Sequence, residues 1–297
     1  MEKNRMLKGA LLTLFGGSLW GFSGTCGQFL MQTKGVPSNW LVSVRLLSAG
    51  SLLLLICFLR QGGKVLDVWR RDAASILIFG LCGMSMCQYT YLTAISASNA
   101  GTATVLQYTG PVMIMVYLSL RYRRMPRPVE LAAIGLAVLG TFLLATHGRP
   151  GTMVLSEKAL FWGLLSGVAL LVYTVQPGRL LNEYGASDVT GWGMLIGGVL
   201  MLLLFRPWSI PVQIDGQVLL GVGVIVLLGS VVAFTAYLEG VRCVGPKKGS
   251  LYASVEPVSA TIFSVVWMHA SFGLMDFLGF VCIVSTIFLL ALDKKED

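Results

Sequence analysis

Long apolar stretches separated by short polar segments make up almost the whole chain. Ten stretches have about 20 residues each, and an α-helix of that length crosses a hydrocarbon core of about 30 Å. They are too long for the strands of a membrane β-barrel, and their residues do not alternate between apolar and polar. The pattern predicts an all-α membrane protein with ten transmembrane helices. These are spans one to ten, at roughly 8–31, 38–59, 73–95, 99–120, 129–147, 158–180, 188–205, 217–240, 248–269 and 273–292.

Charged residues are scarce and gather between the spans. They make up 12% of the chain, against about 25% in soluble domains. With a cytoplasmic N-terminus, 17 of the 22 lysines and arginines fall on the cytoplasmic side and four on the other. Because basic residues favour the cytoplasmic side, we expect a multi-pass protein of the cytoplasmic membrane with both termini in the cytoplasm. The net charge of +8 lies in these clusters and forms no basic face, so the expected partner is the lipid bilayer and no nucleic acid.

One pattern occurs twice, 146 residues apart. "YLTAISASNAGTATVLQYTGPV" at 91–112 is matched by "YLEGVRCVGPKKGSLYASVEPV" at 237–258. Five spans separate the copies, so the repeats should have opposite orientations, which is typical of carriers that work by alternating access. We expect two inverted five-helix repeats, at 1–148 and 149–297. Pro111 and Pro257 are the expected hinges, because each removes a helical hydrogen bond; a role in packing alone is the alternative.

A family resemblance follows from three features. They are "LWGFSG" at 19–24, "PSNWLVSVRLLSAG" at 37–50, and the two Tyr-Leu…Pro blocks. The chain resembles the drug/metabolite transporter superfamily, and its EamA family in particular. The resemblance implies a ten-helix carrier with a central cavity that moves small metabolites across the membrane, with export expected over import. Amino acids are the expected cargo class, and nucleosides, sugars or organic-cation drugs are the alternative.

Two charges lie inside the spans. Arg45 is about seven residues into span two, where an unpaired charge is costly. Glu256 directly precedes Pro257 in span nine. We expect Arg45 to attract a substrate carboxylate and Glu256 to bind an ammonium group or a coupling proton. The alternatives are that Arg45 snorkels to the outer interface, that the two side chains form an ion pair, or that Glu256 is a neutral acid hydrogen-bonded to the backbone.

Polar and aromatic side chains also occur deep within the spans, and such a set can line a cavity for a small solute. Packing between helices is the alternative for each of them. The candidate substrate-binding residues, besides Arg45 and Glu256, are Trp20, Gln88, Tyr91, Gln107, Tyr173, Tyr237 and Tyr252; Ser23, Tyr108 and Gln176 lie at similar depth.

Other chemistry has no support in the sequence. The six cysteines form no CxxC pair and no ligand set with histidine, so neither a metal nor a disulfide is expected. No phosphate-binding loop and no nucleophile–base set is present. We therefore expect no enzyme and no cofactor beyond a possible coupling proton, and either a monomer or a homodimer. An intramembrane enzyme or a non-transporting assembly subunit is the alternative of another class.

Overall fold

The computed structural model of the protein describes residues 2–123, 125–149, 153–244, 249 and 252–292, and these ranges contain helices and no strand. Seven helical stretches among them are long and apolar enough to cross a membrane. The protein is therefore an all-helical membrane protein, as the apolar pattern predicts.

The described helices follow one another with short connections. The first half contains α1 (Glu2–Gln32), α2 (Ser38–Gln61), α3 (Asp67–Arg71), α4 (Ala73–Ile78), α5 (Ser85–Ala97), α6 (Ala100–Gln107), α7 (Gly110–Arg121) and α8 (Pro128–Thr146). The second half contains α9 (Glu157–Val175), α10 (Gly178–Tyr184), α11 (Ala186–Phe205), α12 (Gly216–Val226), α13 (Ala233–Val244), α14 (Val255–Val266) and α15 (Leu274–Leu292).

The count of membrane-length helices differs from the ten predicted spans. α1 has 31 residues, but its glycines, its serines and Gln28 lower its mean hydropathy, and it is not among the seven. α14 has 12 residues, and the apolar part of α15, Leu274–Leu289, is also short. Each predicted span nevertheless contains at least one described helix.

Spans three and eight each contain one π-helical turn. These turns are Phe79–Met84, between α4 and α5, and Leu227–Val232, between α12 and α13. A π-turn places an extra residue in the helix and often marks a functional site. Gly83 and Gly229 lie in them, 146 residues apart, and each is in close contact with a neighbouring helix. Spans three and eight are thus interrupted at positions that lie within two residues of each other in the repeat.

The helices of the two halves pack against each other in corresponding pairs. α2 packs along α11, and α8 packs along α15. α1 packs on α13 and α14, whereas α9 packs on α5 and on α6 and α7. The interface between the halves therefore runs through the whole bundle.

Polar contacts at the two ends of the bundle show which helix ends lie together. At one end Lys34 forms an ion pair of 2.7 Å with Asp215, and His147 contacts Asp276 at 2.9 Å. At the opposite end Arg179 pairs with Asp72. Consecutive long helices therefore alternate in direction, and we call the first end the outer end and the second the inner end, after the distribution of basic residues.

Candidate functional site

The two predicted hinge prolines lie in the first turns of helices. Span four breaks after Gln107, and α7 restarts at Gly110 with Pro111 in its first turn. Pro257 lies in the first turn of α14, which begins at Val255. The first turn has no intrahelical acceptor for its backbone N–H groups, so proline removes nothing there. The sequence predicts loosened but continuous helices, whereas the structure has a turn before Pro111 and another at Ser254.

These two helix breaks are joined by Tyr108. Its phenolic oxygen lies 3.0 Å from Oε2 of Glu256 and 3.1 Å from the carbonyl oxygen of Ala253. The hydroxyl therefore donates toward both acceptors and links span four to span nine. Glu256 is half-buried as a whole residue.

Arg45 is buried against span eight. Its side chain is 5% exposed, and Nε lies 3.4 Å from Oγ of Ser230. Ser230 lies in the second π-turn and donates its own hydroxyl to the carbonyl oxygen of Ile225 at 3.1 Å. The snorkelling alternative for Arg45 is therefore wrong, because the side chain turns into the bundle.

Arg45 and Glu256 do not form an ion pair with each other or with another side chain in the part of the chain that the structure describes. They are near enough to interact electrostatically. The ion-pair alternative is therefore not observed, and the two opposite charges are neighbours that do not come within ion-pair distance. The same region includes the neighbours Cys87, Tyr91, Tyr173 and Tyr237, which also interact electrostatically with Glu256.

Tyr91 and Gln107 connect span three with span four. Thr104 Oγ1 donates to the carbonyl oxygen of Ala100, so the 2.8 Å contact between Tyr91 and Thr104 has the phenol as donor. Gln107 Nε2 lies 3.7 Å from the sulfur of Cys87. Both predicted site residues therefore lie at the mid-bundle region, but their described polar contacts are to protein atoms.

Trp20 packs against two other aromatic rings. Its ring lies 4.9 Å from that of Phe234 and 5.0 Å from that of Tyr237, between centroids. The ring of Tyr173 packs on that of Phe79, 5.6 Å away between centroids. Trp20 and Tyr237 thus lie in contact with each other, and their contact with a solute, like that of Tyr173, stays a prediction.

Gln88 and Tyr252 are the exceptions among the predicted residues. Both are half-buried, and neither forms a hydrogen bond to a residue that the structure describes. None of their described contacts connects them with Arg45 or Glu256. Their inclusion in the site stays a prediction from span depth alone.

Sequence reasoning missed a polar junction at the outer end of the bundle. Oε1 of Gln28 accepts hydrogen bonds from the backbone N–H of Ala100 at 2.9 Å and from Oγ of Ser264 at 3.2 Å. Ser264 Oγ in turn lies 3.3 Å from the N–H of Gly101. Spans one, four and nine are therefore tied together above the site. A buried amide in the otherwise apolar "GTCGQFLM" is the signal that could have found it.

Among the described residues no three histidine, cysteine, aspartate or glutamate side chains come together as a metal site would require. The arrangement at mid-bundle instead places one cation, one acid and several aromatic rings near one another. Side chains of these kinds can bind a small polar solute and do not form a catalytic set.

Comparison with known proteins identifies the family of the chain. A profile of the EamA-like transporter family matches residues 7–146 and again 157–292. The inner membrane transporter YicL of Salmonella typhimurium is 38% identical over 291 residues, covering 97% of each chain. YedA of Escherichia coli, also an inner membrane transporter, is 26% identical, covering 97% of this chain and 91% of its own.

More distant comparisons extend over similar lengths. The transporter YetK of Bacillus subtilis is 24% identical, covering 90% of this chain and 82% of its own. A solved crystal structure aligns with 99% of both chains at a TM-score of 0.65 and 20% identity, which supports the fold alone.

Proposed function

Since the chain belongs to the EamA-like transporter family, we propose that it is a secondary transporter that exports small metabolites such as amino acids across the cytoplasmic membrane. The protein acts as a carrier by alternating access, with the solute bound at mid-bundle between Arg45 and Glu256. Both termini lie in the cytoplasm in this proposal.

The observation that carries the proposal is that the buried Arg45 and the half-buried Glu256 form no ion pair with each other. Burying an unpaired charge costs at least a few kcal/mol in a membrane helix. A protein under selection for stability alone would pair Arg45 and Glu256 or replace them with apolar residues. A solute that carries charge or strong dipoles offsets this cost each time it binds.

Corresponding features of the two halves support an inverted repeat at 1–148 and 149–297. The family profile matches twice, the helix pairs across the interface correspond, and the two π-turns lie within two residues of matching positions. Arg123 and His269, 146 residues apart, both have a left-handed backbone, with φ of 51° and 52°. Two such halves can open toward either face by similar movements.

The junction at Gln28 supports a cycle in which this conformation is closed at the outer end. Three spans meet there through hydrogen bonds of 2.9–3.3 Å above the site. In the cycle, the solute enters from the cytoplasmic side, and these bonds break when the outer side opens. Transport of a proton on Glu256 is one way to couple this movement to the proton gradient.

The test is counterflow with purified protein in sealed liposomes. The panel should contain amino acids, nucleosides, hexoses and quaternary ammonium compounds, each as a radiolabelled solute. Protein-dependent exchange of at least one class is expected, and the double variant Arg45→Gln/Glu256→Gln should abolish it while the protein still inserts. If no solute of any class exchanges, the carrier proposal fails and a non-transporting subunit or an enzyme becomes the better explanation.

A further inference from the structure

Two turns of the bundle share a backbone conformation at opposite ends. The inner turn, residues 121–127, joins α7 to α8, and the outer turn, residues 267–273, joins α14 to α15, 146 residues later in the chain. Arg123 and His269 occupy the same position in them, and both are left-handed, with φ of 51° and 52°. In each turn the N–H of the last residue donates to the carboxylate three positions on, at 2.7 and 2.8 Å. The chain therefore places equivalent turns at its two ends.

The side chains of these turns differ in character. The inner turn contains four arginines, of which Arg124 lies outside the described residues, and the outer turn contains no basic residue. At the position of Arg121 the outer turn has Trp267, whose ring stacks on two phenylalanines of α1 at 5.9 and 5.4 Å between centroids. The outer turn thus packs on its own bundle, whereas Arg121 and Arg123 are exposed.

Two positive charges of the inner turn lack an acidic partner. Arg127 is paired with Glu130 at 3.6 Å, and Glu130 is the only acid between residues 110 and 146. Arg121 and Arg123 form no ion pair with any residue that the structure describes. An anion from outside the chain can therefore bind to both without displacing a contact.

Large apolar side chains are exposed beside these arginines. Leu120 is 74% exposed, Tyr122 is 70% exposed and Met125 is 88% exposed. Such side chains are unfavourable in water, but the membrane interface accommodates them and tyrosine is enriched there. The composition of the turn therefore fits the headgroup layer of a bilayer, which offers phosphate groups to arginine and acyl chains to the apolar residues.

We propose that the inner turn binds the phosphate group of an anionic phospholipid, through Arg121 and Arg123, in the leaflet at the inner end of the bundle. Guanidinium groups donate to phosphate oxygens in pairs, and basic clusters next to membrane helices attract anionic lipids. A zwitterionic headgroup is the weaker ligand, because its own ammonium group already compensates the phosphate. A lipid is favoured over free phosphate, because only a lipid also covers Leu120, Tyr122 and Met125. The inference does not depend on the transport proposal, since lipid binding is measured without a solute.

The experiment places a fluorescent probe at each turn in turn. In a variant without the six native cysteines, Met125→Cys and Ser271→Cys, which are equivalent positions of the repeat, are labelled in separate samples. Each sample is reconstituted in phosphatidylcholine nanodiscs that contain a small fraction of spin-labelled lipid. The quenching by spin-labelled phosphatidylglycerol, divided by that by spin-labelled phosphatidylcholine, measures the local lipid preference. Both leaflets of a nanodisc have the same composition, so the comparison reports on the turns alone.

At position 125 we expect a preference for phosphatidylglycerol of at least about fivefold at low salt, which is the effect of one arginine near an anionic surface. The preference should fall at about 0.5 M salt, because exposed charges are screened. At position 271 the two lipids should quench equally. Equal quenching at position 125, or the same preference at both positions, would overturn the proposal.

A matched pair of double variants tests the residues. Arg121→Gln/Arg123→Asn should abolish the preference at position 125 with an unchanged melting temperature, because asparagine tolerates the left-handed backbone. Arg70→Gln/Arg71→Gln, on α3, removes the same charge elsewhere and should leave the preference unchanged. A preference that survives the first change, or falls equally in both, contradicts the proposal. If the first double variant does not fold, Arg121→Gln alone should still lower the preference severalfold.

Inorganic phosphate distinguishes the two sources of the anion. Added at the ionic strength of a sodium chloride control, it should lower the preference for phosphatidylglycerol no more than the chloride does. A larger loss with phosphate would mean that the inner turn is a site for the free anion, and the assignment to a lipid would be wrong.

Discussion

Gln28 and Ser264 are joined by a hydrogen bond of 3.2 Å that connects α1 to α14 at the outer end of the bundle. The positions 146 residues away in the repeat are Thr174 and Leu118. Leu118 has no hydrogen-bonding side chain, and Thr174 is exposed and donates within its own helix. These two positions therefore form no equivalent junction, and in the proposed cycle the bonds of Gln28 hold only the outer side closed.

Gln28→Leu should favour opening at the outer end. The change leaves the N–H of Ala100 and the hydroxyl of Ser264 without their acceptor, at a cost of about 1–3 kcal/mol. In a variant without the six native cysteines, a cysteine at position 107 should then react about tenfold faster with an impermeant reagent added outside the cell. Thr174→Val is the matched control and should leave the rate unchanged. An unchanged rate in Gln28→Leu would show that the junction does not hold the outer side closed.

Glu256→Gln should reduce transport and flatten its dependence on pH between about 5 and 8. Glutamine keeps the size of the side chain and can still accept from Tyr108, but it neither binds a proton nor attracts an ammonium group. Initial rates of counterflow across this pH range give the measurement. A companion variant, Tyr108→Phe, keeps the carboxylate and should retain pH dependence while changing the rate. Wild-type rates in Glu256→Gln at every pH would remove Glu256 from the mechanism.

Gly229→Ala should be destabilising because a methyl group at this position would overlap the side chain of Ser23. Overpacking of this kind costs about 1–3 kcal/mol. Gly223→Ala, in α12, meets nothing within 4 Å and should be neutral or stabilising by up to about 1 kcal/mol. Chemical or thermal unfolding in detergent measures the stability of both variants and of the wild type. The double change Ser23→Gly/Gly229→Ala should recover part of the loss, and failure to do so would locate the crowding elsewhere.

Asp215→Asn should lower stability at neutral pH and have no effect at acidic pH. Lys34 donates to Asp215 at 2.7 Å and the N–H of Val218 donates at 2.8 Å, and these contacts hold the pKa of Asp215 below its usual value. Stability from a lowered pKa is present above the unfolded-state pKa, about 3.9, and is lost as pH falls through the lower folded-state value. Melting temperatures from pH 7 down to 2 test this, with Asp67→Asn as the exposed control. A difference that persists at pH 2 would contradict it.

The orientation of the chain predicts opposite labelling of two loops. A cysteine at position 152, which lies outside the described residues, should react in intact cells with an impermeant reagent. A cysteine at position 64, in the turn Gly62–Leu66, should react only after permeabilisation. The prediction follows from the 17-to-4 distribution of basic residues. Labelling at 64 alone in intact cells would invert the topology.

Arg45 and Gln28 show what the sequence could and could not predict. An arginine inside an apolar span is easily recognised in the sequence. Its distance from the end of the span is enough to predict a functional role. The partner of that arginine is Ser230, 185 residues away, and no spacing rule points to it. Gln28 contacts Ala100 and Ser264 because three helices converge, and that convergence depends on packing that a linear pattern does not specify. The π-turns could not be predicted either, since "FGLCGM" and "LLGSVV" contain no helix breaker beyond glycine.

The positions of the polar residues in the repeat affect the energetics of the whole transport cycle. An antiparallel dimer of identical subunits would have two end states of equal free energy by symmetry. In this chain Arg45, Ser23 and Glu256 correspond, at an offset of 146, to Gly191, Ala169 and Gly110. Exchanging the conformations of the two halves therefore gives a state with different contacts. The two end states then differ in free energy even without cargo. A carrier built this way has a preferred resting side fixed by its own covalent structure, whichever gradient drives it.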